Sequence, residues 1–199
     1  NDPRFSPAGV LAPKSKADLA FTMHMLSWLS TSGTAAIVEF PGVLYRGGAE
    51  AKIRKYLLEN NYVDTVIQLP PDLFFGTTIA TCIIVLKKSK PDNSVLFIDA
   101  SAEFVREGNK NKLSEANREK IFEAFVKREE VAHFTRLVKN AELIANDANL
   151  SVSSYVEPED DREEIDIHEL NRQIAGLPVR NVTVPCSLIE RESVADLTR

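Results

Sequence analysis

A chain of 199 residues, 44% hydrophobic and 27% charged, can bury one sizeable core and leave a tail outside it. Its net charge of -5 excludes a generally basic nucleic-acid binder but leaves room for a local basic patch. No apolar run approaches the ~20 residues of a membrane helix and no signal segment opens the chain, so no membrane is expected as a partner. Cys82 and Cys186 lie far apart and imply no disulfide framework, and the cytoplasm is the expected compartment.

The chain opens on Asn1, inside loop-like sequence with three prolines and a glycine before Ser15, as a fragment would. Ser15 and Asp18 fit a capping box, predicting a helix from there to about Ser30 with Leu19, Met23, Leu26 and Trp28-Leu29 as its apolar stripe. Ala35 to Phe40 reads as a strand ended by Pro41-Gly42. The loop through Arg46-Gly47-Gly48 leads into a helix from Ala49 to about Asn60, with Ile53, Tyr56 and Leu57 facing inward. Helix, strand, helix, strand is the alternation of a parallel sheet with crossover helices.

The stretch from Val63 to Ala100 carries the most information. It reads as a strand to Leu69, a loop, a strand from Ile79 to Leu86, a turn at Lys87 to Asn93, and a strand from Val95 to Ile98. The middle strand is apolar on both faces, so it belongs to the interior of a sheet covered on both sides. Between the first two strands lies PPDLFFGTT, residues 70–78. Adjacent aromatics in a Pro/Gly/Thr loop leave one ring struggling to reach a core, which makes this loop the functional candidate.

A helix opened by Ser114 follows, with Ile121, Phe122, Phe125 and Val126 as its packing face. A short extended piece from Phe134 to Val138, a short helix from Asn140, and a last strand from Asn149 to Val156 complete the fold. Glu157 to Glu164 is an acidic linker, and Ile167, Leu170, Ile174 and Leu177 mark one more amphipathic helix limited by Gly176.

These stretches resemble the modification subunit of type I restriction–modification systems, an adenine-specific DNA methyltransferase. The resemblance rests on KADLAFTMHMLSWL, GTAAIVEFPGVLYRGGAEAKIRKYLLENN, VDTVIQLPPDLFFGTTIATCIIVLKKSK and NDANLSVSSYVEP, with the LFFGT segment the most specific. It implies an α/β fold: the C-terminal half of a Rossmann-like methyltransferase sheet with an antiparallel hairpin, plus a helical C-terminal tail. Residues 1–156 would be the C-terminal part of the methyltransferase domain, and residues 157–199 a partner-binding linker and tail helix.

The family places a glycine-rich loop for S-adenosylmethionine early in the sheet and an Asn-Pro-Pro-aromatic tetrad on the fourth strand. Neither is present here. Pro70-Pro71 has Leu69 before it and Asp72 after it, so no catalytic residue is assigned. The resemblance implies S-adenosylmethionine as cofactor of the full-length enzyme, and DNA, a specificity subunit and a restriction subunit as partners. It also implies that this segment is inactive alone and, lacking half a sheet, is prone to self-association. The rival reading is a non-catalytic assembly module that binds the specificity subunit.

Two sites follow from this. Phe74, Phe75 and Gly76 would form the target-base pocket, since an enzyme acting on a base must flip it out and hold its face against aromatic groups. Either ring suits the role, and a plain core plug is the alternative. Arg46, Gly47 and Gly48 precede a helix, so their amides and the Arg46 charge could meet a DNA phosphate, against the plainer reading of a loop whose glycines permit positive φ. His24, His133 and His168 have no metal spacing, and no metal site is expected.

Overall fold

The computed structural model describes residues 2–159 and 167–175. A compact unit ends at Glu159, and residues 160–199 form a separate one. The acidic run from Asp160, Gly176, Leu177 and Cys186 lie outside the described residues.

The first unit is built on a five-stranded sheet: β1 (Thr34–Glu39), β3 (Cys82–Lys87), β2 (Val63–Gln68), β4 (Ser94–Asp99) and β7 (Thr135–Lys139), in that spatial order. β2 and β4 are parallel, while β3 runs antiparallel to both β1 and β2 and lies between them. The β1–β2 crossover through helix α2 (Ala49–Glu59) is therefore parallel in sense, but the two strands do not touch. The antiparallel strand β3 is inserted into the sheet, in the interior position that its two apolar faces predict. Only an inner position satisfies a strand whose Cys82, Ile84 and Leu86 are buried on one face and Val85 on the other.

One face of the sheet is covered by helix α1 (Asp18–Trp28), by α2 and by α4 (Asn140–Ala145). There Leu19, Met23, Leu26, Ile53, Leu57 and Leu143 meet Val66, Ile84, Leu86 and Phe97 in the larger core cluster. Phe97, fully buried, packs against Tyr155 with centroids 4.6 Å apart and the rings tilted by 32°. The other face is covered by α3 (Glu115–Lys127), whose Ile121 meets Ile67, Leu69, Leu96 and Ile98. α3 opens at Ser114 as expected, and Ser114 caps it in a reciprocal pair with Asn117.

Several expectations need correction. α1 starts at Asp18 with Ala17 as its cap and no side-chain capping bond, and the chain before it is in a turn closed by the Lys16 amide donating to the Pro13 carbonyl. Trp28 is not in the apolar stripe: it is 77% exposed and packs only its edge on His24, 5.2 Å away. Phe122 and Val126 are 65% and 60% exposed, so α3 has a narrower packing face than its apolar residues imply. On that side α3 looks toward Thr34 and Ala36, whose short side chains leave an apolar cleft of about 500 Å³ open. Residues 149–156 form a 3-10 turn at Val152–Ser154 rather than a strand. The Asn149 side chain takes the Ser151 amide, and the Tyr155 hydroxyl donates to the Asn149 carbonyl, which diverts the backbone from a ladder.

The sheet ends in an edge strand on each side, β1 and β7. Among the described residues no strand pairs with the outer edge of β1, and Thr34, Ala36 and Val38 are exposed along it. β7 is the edge strand at the other end, paired with β4 and otherwise only bridged at Thr135 to Val131. Two further strands, β5 (Val105–Glu107) and β6 (Lys110–Lys112), form a separate hairpin that the expectations from sequence do not include. Its signal is present: Gly108-Asn109 between two short polar segments is a hairpin turn, and Gly108 takes φ +61°.

In the second unit, α5 spans Ile167–Ala175, with Ile167 and Ile174 exposed. No helix among the described residues is long and apolar enough to cross a membrane.

Candidate functional site

The loop between β2 and β3 leaves the sheet at Leu69 and returns at Thr81. Its base is tied shut by the Leu69 amide donating to the Thr81 carbonyl at 2.9 Å and by Gln68 Nε2, which reaches the carbonyls of Leu69 and Thr81, both at 3.2 Å. Above that knot the backbone turns through Asp72 at φ +55° and Gly76 at φ +80°. A β-carbon added at Gly76 would meet nothing within 4 Å, so its glycine identity answers to conformation and not to crowding. The turn pushes both rings away from the core. Phe74 is 40% exposed and Phe75 wholly so, which removes the core-plug reading for Phe75.

These rings line a cavity of about 360 Å³ together with Val38, Glu39 and Phe40 from the end of β1, Asp18 from the start of α1, and Thr77 and Thr81. The C-terminal ends of β1 and β2 thus face the same space, the usual location of ligands in an α/β sheet. Glu39 is buried and accepts a 3.0 Å hydrogen bond from the Thr22 hydroxyl. Burial pushes its carboxyl above the ordinary range, partly countered by that bond, with the nearby Asp18 charge pushing the same way as burial. Thr81 is 5% exposed and its hydroxyl has no protein partner. A cavity with two acidic side chains repels phosphate, whereas aromatic faces and carboxyl oxygens suit a flat base with an amino edge.

Of the residues expected here, Phe74 and Phe75 line the cavity and Gly76 does not, while Phe40, Glu39 and Thr81 line it without having been expected. The one signal for Phe40 was its position, last in a strand and directly before Pro41-Gly42.

Arg46, Gly47 and Gly48 are not part of this cavity. Gly47 and Gly48 line a different one, of about 440 Å³, with Lys52, Lys55, Arg54 and Asp147 at the N-terminal end of α2. Gly48 precedes α2 at φ +68°. Arg46 turns back: its guanidinium packs on Gly42, where a β-carbon would come within 2.3 Å, and pairs with the buried Glu50 at 3.3 Å. Arg54, fully enclosed, donates to the carbonyls of Val43 and Ala148, and burial lowers its pKa to about 10.

His24 stacks on Phe5 and meets Trp28 at a tilt of 58°, and His133 bonds the Glu157 carbonyl. Among the described residues no group of histidine, cysteine and carboxylate side chains has metal-binding geometry. Cys82 is a buried thiol pushed up to about 12, chiefly by burial, and is therefore no nucleophile.

A model of the N-6 DNA methylase family matches residues 1–164. The chain is 51% identical over 175 residues to the type I restriction enzyme MpnII methylase subunit of Mycoplasma pneumoniae, covering 87% of this chain and 32% of that protein. It is 36% identical to the MjaVII methylase subunit of Methanocaldococcus jannaschii, over 81% of this chain and 29% of the relative. Among solved structures, the type I restriction-modification methyltransferase subunit of Streptococcus thermophilus superposes with a TM-score of 0.77 at 49% identity, over 78% of this chain and 34% of that one. The chain spans about a third of the length of these relatives. Family model, sequence identity and superposition agree, and this chain belongs to the N-6 DNA methylase family, among the methylase subunits of type I restriction enzymes.

Proposed function

We propose that this chain is the target-base half of a site-specific DNA adenine methyltransferase. The enzyme transfers a methyl group from S-adenosylmethionine to the exocyclic amino group of adenine within a type I restriction–modification complex. The observation that carries this reading is the cavity where Phe74 and Phe75 of the β2–β3 loop face Phe40 and Glu39 at the end of β1. A flipped adenine enters between the rings, and its stacking there contributes about 1–3 kcal/mol. The cofactor site and the amino-group acceptor belong to the remainder of a full-length subunit, so this segment alone does not methylate.

The Gly47–Gly48 cavity, with Lys52 and Lys55 in its wall, is the place for a DNA backbone contact. Arg46 does not supply the charge there, being engaged with Glu50. A specificity subunit reads the DNA sequence and a restriction subunit joins the assembly, in keeping with the acidic balance of this chain. The enzyme acts in the cytoplasm, with residues 157–199 as the partner-binding tail.

The test uses a full-length methylase subunit carrying this segment, assembled with its specificity subunit. It is incubated with unmethylated bacteriophage lambda DNA and S-adenosylmethionine, and the DNA is digested to nucleosides for mass spectrometry. N6-methyladenine is expected. Formation of a methylcytosine, or no methylation while the assembly still binds the DNA, would replace the enzyme with the assembly-module reading.

A further inference from the structure

The short hairpin β5–β6 lies against the aromatic loop and hydrogen-bonds four of its backbone carbonyls, those of Pro71, Asp72, Phe74 and Thr77. The Lys110 ammonium donates to the carbonyls of Phe74 and Thr77, both at 3.1 Å, so it brackets Phe75 and Gly76 from below. Asn111 is 6% exposed. Its side-chain nitrogen donates to the Pro71 carbonyl at 2.8 Å and its amide to the Asp72 carbonyl at 3.1 Å. The Asn111 side-chain oxygen is occupied as well, by Arg106 Nη1 at 3.0 Å. The Asp72 carboxylate lies between Arg106 at 3.6 Å and Lys110 at 3.9 Å. Every polar atom of the Asn111 side chain is thus directed at the loop or at the arginine that flanks it.

Such a network has a physical purpose here. Phe75 buries no surface, so the hydrophobic core gives its ring no fixed position. Asp72 holds φ +55°, a left-handed conformation that a non-glycine residue keeps only when its surroundings enforce it. An ammonium shared by two carbonyls makes charge-assisted hydrogen bonds, stronger than neutral ones. The loop's shape is therefore set from outside, by the hairpin.

We infer that the β5–β6 hairpin is a clamp for the aromatic loop, with Lys110 and Asn111 as positioning residues that fix Phe74 and Phe75 for the target base. The inference rests on the reading of the aromatic cavity as the target-base pocket. Neither residue touches the base; each acts through the backbone of the loop.

The experiment compares Lys110→Met, Lys110→Arg and the double variant Phe74→Ala/Phe75→Ala in a full-length methylase subunit carrying this segment, with its specificity subunit. The readouts are kcat and KM for methylation of unmethylated lambda DNA, S-adenosylmethionine affinity by calorimetry, and hydrogen exchange. Lys110→Met is expected to lower kcat about tenfold, inside the roughly hundredfold loss that a 1 Å misplacement can cause. KM for DNA and cofactor affinity should barely change. Exchange should quicken in residues 72–78 and stay slow in β3, and Lys110→Arg should restore most of the activity.

Unchanged kcat in Lys110→Met, with the double phenylalanine variant inactive, overturns the clamp and leaves the pocket reading standing. Full activity of the double variant overturns the pocket reading, and the clamp falls with it. Faster exchange in β3 as well as the loop would mean that Lys110 serves folding, which equally overturns a positioning role.

Discussion

Phe75 gives the sharpest separation of function from folding in this molecule. Phe75→Ala removes a ring that is wholly exposed, so it takes nothing from the core, and folding stability should move by no more than about 0.5 kcal/mol. If the ring stacks on a flipped adenine, its loss costs about 1–3 kcal/mol in the complex. At roughly 1.4 kcal/mol per factor of ten, that is about a 5- to 150-fold fall in kcat/KM. Phe97→Ala is the opposite control: the ring is fully buried on Tyr155, and its removal should cost about 3–5 kcal/mol of stability. Urea denaturation of both variants measures the folding side, and tritiated methyl incorporation into lambda DNA by the full-length subunit measures the other. Phe74→Ala belongs in the same series, because both rings line one cavity. The reasoning is refuted if Phe75→Ala loses more than about 1 kcal/mol of stability, or if both single variants keep full activity.

Four further outcomes are expected. In the isolated chain, amides of β1 should exchange faster than those of β3, since β1 is paired on one side only and β3 on both; equal protection in a monodisperse monomer would refute the open-edge account. That edge, with the apolar cleft beside it, should also drive self-association, visible as concentration-dependent sedimentation. Calorimetric titration of this chain with S-adenosylmethionine should detect no micromolar binding, and a tight isotherm would place a cofactor site within these residues. Glu39 has a folded pKa raised by burial, so the folded state binds more protons and stability falls as pH rises through the interval between 4.5 and the folded value. Glu39→Gln keeps an acceptor for the Thr22 hydroxyl and removes that loss, so it should raise the melting temperature at pH 7 and flatten its dependence on acid pH; a drop would show that the carboxylate is stabilising.

What the sequence determined by itself is local. Alternation and β-branching marked β2, β3 and β4, Ser114 and the apolar positions after it marked α3, and the two phenylalanines beside Gly76 marked the loop, because each is set by neighbours a few residues apart. Partnerships across the chain were decided only in three dimensions. Whether β3 lies beside β2 or between β2 and β1 depends on which pairing buries both of its faces, and a strand carries no mark of its neighbours' order. Trp28 and Phe122 look like core residues in sequence, but both are exposed, and beside Phe122 the sheet offers only the short side chains of Thr34 and Ala36. The cavity itself joins residues from opposite sides of a crossover, Glu39 and Phe40 with Phe74 and Phe75, and its loop is held by Lys110 and Asn111 from still farther along. A lysine and an asparagine in a polar turn are the commonest of surface residues. Their meaning comes from carbonyls more than thirty positions away, which only the folded chain brings within 3.1 Å.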